Sequence, residues 1–249
     1  MPDWLRFVKG VVDSEDVPLS VSREQLQDNL IIQKINNVLT KRFLKFLATE
    51  AQKDEKKYEI FFREFHKFLK EGILSDFKYK DELAKLLRMD SSFVKDEKST
   101  SLDAYIERML KGQKEIYFLN VPSKSLAFNS PYYEAFKKKG LEVLFLYTSA
   151  DDFVMSNLIE YSGMKVLSIE SAKVDLSQYP DVETSETPNK SKAPSPLEKN
   201  QVKNLLQWMR DILGSKVSSV SQTDRLSDTP AIIVVNSFSF FFFSSFFYF

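Results

Sequence analysis

Arg23 and Gln27 are the side chains whose types and spacing best suit chemistry on a phosphate. Four residues apart, they share one face of a helical turn. Ser22-Arg-Glu-Gln25 is a capping-box pattern, in which the Ser22 hydroxyl accepts from the backbone of the first turn and Gln25 reaches back. Asp28-Asn29 offers a second cap just before a long apolar-periodic stretch. Upstream, Asp13-Ser-Glu-Asp-Val-Pro18 is an acidic turn whose proline keeps Val17 extended. Leu19-Ser-Val-Ser22 then alternates apolar and polar residues. An arginine held on so stiff a segment presents a planar fork of fixed charge and paired donors, which suits phosphate oxygens. An arginine after a serine cap is also an ordinary surface residue of a helix start, and spacing alone does not separate the two readings.

Other chemistry is sparse. There is no cysteine, which excludes disulfides and thiolate metal sites, and no metal is expected. His66 is the only histidine, and it sits in an aromatic-rich helical stretch that marks it as a packed or surface residue rather than a ligand. Asp151-Asp152 is a carboxylate pair after a strand, but at a helix start it reads as a cap and a complement to the helix dipole. No G-x-x-x-x-G-K-[ST] loop is present, and there are only 6 glycines in all. Lysines plus arginines equal aspartates plus glutamates at 35 each, so no general basic field points to nucleic acid. No apolar run reaches the ~18–20 residues of a membrane helix.

The elements that must position Arg23 follow from periodicity. Phe7 to Val12 reads as a strand end, with a bend at Gly10. Leu30 to about Glu50 and Asp54 to Lys70 carry apolar residues at helical spacing, with Gly72 as a stop. Their aromatic stripes are expected to be packing surfaces. Asp81 to Arg88 is a shorter helix. From Ser99 the rhythm becomes that of βαβ units. A helix follows Thr100-Ser-Leu-Asp103 to about Leu110, and Ser130-Pro131 opens another, to Lys139. Asp151 to Tyr161 is a third, while Glu115–Val121, Leu141–Tyr147 and Lys165–Glu170 are strands. Ser177 to Ser195 is a proline-containing linker. A helix over Glu198–Leu213 and strands at Lys216–Val220 and Ala231–Val235 follow.

The run Gly10-Val-Val-Asp-Ser-Glu-Asp-Val-Pro-Leu-Ser-Val-Ser-Arg-Glu-Gln-Leu-Gln27 closely resembles the catalytic loop of the middle domain of the ninety-kilodalton heat-shock chaperones, the HtpG-type family. Every fixed position of that family's string is matched. Asp81-Glu-Leu-Ala-Lys-Leu-Leu-Arg88, Ser99-Thr-Ser-Leu-Asp-Ala-Tyr-Ile-Glu-Arg-Met109 and Ile116-Tyr-Phe are similar too. Asn129-Ser-Pro-Tyr-Tyr-Glu-Ala-Phe-Lys-Lys-Lys139 and Trp208-Met-Arg-Asp-Ile-Leu-Gly-Ser-Lys-Val217 most resemble the mitochondrial branch. The likeness runs from about residue 4 to 235. The uncharged Phe238–Phe249 tail resembles nothing in the family and has the composition of an aggregation-prone segment.

The resemblance implies an α/β chain: a truncated middle domain with a helical linker segment, a small three-stranded α/β subdomain and the start of a C-terminal dimerisation domain. Residues 1–50 would be the end of the large middle subdomain, 51–98 a helical segment and 99–176 the small subdomain. Residues 177–196 would be the linker, 197–236 the start of the C-terminal domain and 237–249 an aberrant tail. The parent would be an ATP-dependent, stress-responsive chaperone that folds unfolded clients as a homodimer and uses ATP with magnesium. In it Arg23 would reach the ATP gamma-phosphate and Gln27 would support it. This chain alone is expected to be inactive, with no nucleotide pocket, bound cofactor, nucleic acid or membrane span. Location would be mitochondrial, although Met-Pro-Asp-Trp-Leu-Arg is not a transit peptide. Two alternatives remain open: a nucleotide-independent α/β interaction module, and a small-molecule enzyme at the strand ends after Val121 and Tyr147.

Overall fold

A computed structural model describes residues 1–12, 30–94, 98–171, 174–180, 197–223, 230–235 and 245–248. The chain divides into two compact units: Met1–Arg88 with Ser99–Ala104, and Met89–Lys98 with Tyr105–Phe249. The architecture is mixed α/β.

The first unit is helical. α1 (Leu30–Lys53) and α2 (Glu55–Ser75) form a hairpin around Asp54, whose carboxylate caps α2 by accepting from the Lys57 N–H at 3.0 Å. A 3-10 turn at Phe77–Tyr79 leads into α3 (Lys80–Ala84). Leu44, Leu47, Leu69, Ile73, Leu83 and Leu87 are buried. α3 is shorter than the Asp81–Arg88 periodicity predicts, yet Leu86 and Leu87 stay buried in the turn beyond it. Tyr58 donates its hydroxyl to the Leu86 carbonyl at 2.7 Å, and Arg88 lies over the Tyr58 ring at 4.6 Å.

Two expectations fail here. Phe7–Val12 is not a strand: the chain makes a 3-10 turn at Asp3–Leu5 and continues irregularly. No described strand runs beside this segment, and Phe7 instead enters the aromatic stripe of the hairpin. Its ring centroid is 4.8 Å from Phe65, 5.0 Å from Phe68 and 6.2 Å from Phe43 and Phe61. Nor does Gly72 stop α2, which runs on to Ser75. Gly72 is there because Trp4 and Leu83 press on the helix. A Cβ at this position would stand 2.7 Å from Leu83 Cδ1 and 2.9 Å from Trp4 Cδ2.

The second unit holds a five-stranded sheet in the order β1-β3-β2-β5-β4. β2 (Glu115–Asn120) is central, flanked in parallel by β3 (Leu144–Leu146) and β5 (Met164–Ser168). β1 (Asp90–Ser91) and β4 (Glu160–Tyr161) add antiparallel edges of two residues each. The sheet is thus mixed, where a three-stranded parallel one was expected; two-residue strands leave no periodicity to read. α4 (Leu102–Arg108) precedes β2 and ends two residues short of Leu110. α5 (Lys124–Phe128), which the sequence reading omits, and α6 (Pro131–Lys138) join β2 to β3. α7 (Ser149–Leu158) joins β3 to β4. Tyr117, Leu119, Phe136, Val143 and Phe145 form a core on one face. Ile116 and Phe118 alternate to the other face and are equally buried.

Further along, α8 (Lys199–Leu213) turns at Gly214 (φ +52) into β6 (Val217–Ser221). β7 (Ile232–Val235) and β8 (Ser245–Tyr248) complete a three-stranded sheet ordered β6-β8-β7. Residues 181–196 of the expected linker lie outside the described residues.

Gly72→Ala should destabilise the helical unit by about 1–3 kcal/mol, because overpacking outweighs the gain in helix propensity. Urea unfolding followed by Trp4 fluorescence in a Trp208→Phe background checks this. An unchanged midpoint would mean that the helix and Trp4 can part at no cost.

Candidate functional site

Arg23 and Gln27, with the caps at Ser22 and Asp28-Asn29, lie outside the described residues. What is described is the structure on either side of that segment. Its leading side is the stretch Met1–Val12. Trp4 and Leu5 are buried there, and the Trp4 indole N–H donates to the Asp76 carboxylate at 3.2 Å. Arg6 grips Glu71 through two bonds, of 2.8 and 2.7 Å, and its guanidinium lies 4.6 Å above the Phe68 ring. That pairing holds the Glu71 carboxyl below its ordinary range, chiefly through the hydrogen bond from Arg6. Both partners face water, so screening limits what the pair adds to stability. The trailing side is α1, which begins at Leu30 and packs on α2. The residues that border the segment, Val12 and Leu30, are both exposed.

A pocket of about 360 Å³ opens in this unit, lined by Gln33, Asn36, Asn37 and Thr40 of α1 with Asp76, Lys78 and Tyr79. Lys78, a cation in its wall, donates to the Asn37 side chain at 2.6 Å, and Tyr79 donates to the same oxygen at 3.2 Å. The remaining lining is Met1, whose terminal ammonium donates to the Asn36 side chain at 3.3 Å, Pro2, and carboxamide, hydroxyl and carboxylate groups. Among the described residues, no three His, Asp or Glu side chains converge as metal ligands. His66 is half-buried on α2, its ring centroid 5.7 Å from that of Phe62.

At the carboxyl ends of the parallel strands, Asp151 and Asp152 occupy the first turn of α7. Thr148 is the cap, its hydroxyl accepting from the Asp151 N–H at 3.2 Å. The pair therefore sits where the helix dipole favours it. What sequence reasoning missed is Glu170, which follows β5. Burial, then the nearby charge of Asp152, pushes its carboxyl up to about 7. Burial also raises Asp152. No local pattern flags Glu170, because its neighbour Asp152 is brought up by the fold and not by spacing. Tyr147, beside the same strand ends, donates to Asp90 at 2.5 Å, and Lys124 stands 3.9 Å from that carboxylate. Tyr147 and Lys124 thus share the Asp90 carboxylate.

Glu170 makes stability depend on pH. Its ordinary value is 4.5, so the native chain holds an extra proton between about pH 4.5 and pH 7. The group's contribution is fully present below that window, is lost as pH rises through it, and stays lost above. Glu170→Gln should therefore gain on the order of 1–3 kcal/mol relative to the unaltered chain at about pH 8 and almost nothing near pH 4.5. Urea midpoints across this range check it. Parallel pH profiles for the two proteins would show that Glu170 ionises as freely folded as unfolded.

A sequence model of the family described as Hsp90 protein matches residues 1–242, which extends past Val235 into the aromatic tail. The chain is 44% identical to the mitochondrial TNF receptor-associated protein 1 homolog of Dictyostelium discoideum, over 94% of this chain and 32% of that protein. It is 41% identical to the mitochondrial heat shock protein 75 kDa of Rattus norvegicus, over 94% and 33%. It is 40% identical to the chaperone protein HtpG of Desulfitobacterium hafniense, over 94% and 37%. The chain thus spans about a third of the length of these relatives. With the family model covering nearly all of it, the chain belongs to the Hsp90 protein family.

Proposed function

We propose that this chain is the middle part of an ATP-dependent molecular chaperone, working on non-native client proteins in mitochondria. The observation that carries this reading is the unbroken Gly10–Gln27 string within a chain that matches the family along its length. The names of the relatives support the rest: one is called a chaperone protein, and two are called mitochondrial. On this reading residues 1–50 end the large middle subdomain, 51–98 are a helical segment and 99–176 form the small subdomain. A linker at 177–196 leads to the opening of a C-terminal dimerisation domain at 197–236.

Arg23 reaches the gamma-phosphate of ATP held, with magnesium, by another domain of the parent, and Gln27 supports it. Phosphoryl transfer depends mostly on positioning and charge stabilisation, so an arginine delivered from a second domain can gate the reaction. The docking of Trp4, Leu5 and Phe7 on α2 supports this role by fixing where the segment begins. The chain does not hydrolyse ATP unaided, and clients engage a homodimer of the parent.

The test joins this chain to the nucleotide-binding portion of a relative. Arg23→Ala should slow ATP hydrolysis by about a thousandfold or more while leaving ATP affinity unchanged. Arg23→Lys should recover only part, since an ammonium cannot fork. Gln27→Ala should show a smaller loss of the same kind. Unaltered turnover in Arg23→Ala would remove the assigned role.

A further inference from the structure

β6 and β7 do not pair with each other; β8 lies between them, parallel to β6 and antiparallel to β7. The two pairings differ. Against β7 the register is unbroken, from Ile232 opposite Tyr248 to Val235 opposite Ser245. Against β6 it breaks between Val217 and Val220. Each wall is also tied to something other than β8. β6 continues from α8 through the turn at Gly214, and Val217 is buried. The Tyr132 hydroxyl donates to the Ile233 carbonyl and so fastens β7 to α6. The walls therefore have supports that do not include their occupant.

We propose that the slot between β6 and β7 accepts an extended apolar segment of a non-native polypeptide, and that Ser245–Tyr248 is the chain's own occupant of it. The proposal deepens the chaperone reading and rests on it. A strand seated there pairs its backbone on both sides, and such main-chain recognition tolerates many sequences. β7 sets the chemistry. Ile232 and Val234 are 5% and 0% exposed while Ile233 is 41% exposed, so one face is covered. An incoming strand must place apolar residues at alternate positions on that face, with no charge there. Native proteins bury such segments, and unfolded ones expose them. The resident strand competes with any newcomer, which lowers apparent affinity by the fraction of chains whose slot is filled.

The probe is a fluorescent synthetic peptide with the sequence of residues 244–249 flanked by lysines. Its control carries proline at the position of Phe247. A chain with Phe247→Pro should bind the probe at least about tenfold more tightly than the unaltered chain. The proline control should bind neither. In the unaltered chain, saturating probe should speed amide exchange at residues 245–248. Equal probe affinity for both chains, or equal affinity for probe and control, overturns the proposal. So does persistent amide protection at Ile232–Val235 in the variant without a gain in binding, since β6 and β7 would then have closed on each other. Protection at Ile116–Leu119 reports whether the variant folds. Should it not, the exchange measurement in the unaltered chain decides, and no acceleration by the probe overturns the idea. Arg23→Ala should leave every one of these readouts unmoved, so the slot and the phosphate-sensing role can fail independently.

Discussion

The Trp4 indole lies against the backbone of α2 at Gly72, with room between them for a hydrogen and nothing more. The helical unit is arranged around that contact. Leu83 presses on the same glycine from α3, and Asp76, just past the end of α2, accepts the indole N–H. One turn further back, Glu71 and Phe68 receive Arg6. Most of this hold is apolar. The Arg6–Glu71 pair faces water, whereas Trp4 and Leu5 are almost completely covered and Phe7 is within ring-contact distance of four phenylalanines. Beyond these contacts the chain becomes exposed at Val11 and Val12, and α1 starts exposed at Leu30, its buried residues beginning at Thr40.

What could be read in the sequence depended on length and on locality. α1, α2, α8 and β2 were legible because each is long enough to show its period. Gly72 misled because a glycine in a helical pattern has two meanings, a stop or a close approach, and only the partner across the gap distinguishes them. Phe7–Val12 misled because a short β-branched run becomes a strand only where a neighbour can complete the ladder. The edge strands β1 and β4 were invisible at two residues each. Arg23 and Gln27 lie outside the described residues, so their string is the whole of what is read for them. Glu170 was not legible, since its altered protonation arises from burial and then from a neighbour on another element.

The second unit is bound together by a polar arrangement as much as by its apolar core. Glu142 is buried, and Arg108 clasps it with two bonds, of 3.0 and 2.7 Å. Ser91 on the edge strand donates to the same carboxylate. Tyr105 donates to the Glu142 carbonyl at 2.8 Å and accepts from Gln113 and from the Tyr117 N–H. One cluster thus links β1, α4, the start of β2 and the approach to β3. Burying a carboxylate is expensive, and an apolar replacement of the same shape can be as stable. Ser91 adds a side-chain tie to β1, which pairs with β3 over two residues only.

The two sheets differ in how firmly each defines its own pairing. Four successive residues of β2 are buried, and parallel neighbours flank the strand on both sides. A slip of one residue there would exchange the two core faces and leave neither satisfied. In β6 only Val217 is buried, three of its residues are serine, and its parallel register is interrupted. A slip or an exchange of partner costs such a strand little, because few side chains depend on a particular register. Strand exchange, where this chain permits it, therefore belongs to the β6-β8-β7 sheet. The five-stranded sheet is the scaffold that can remain intact while it happens.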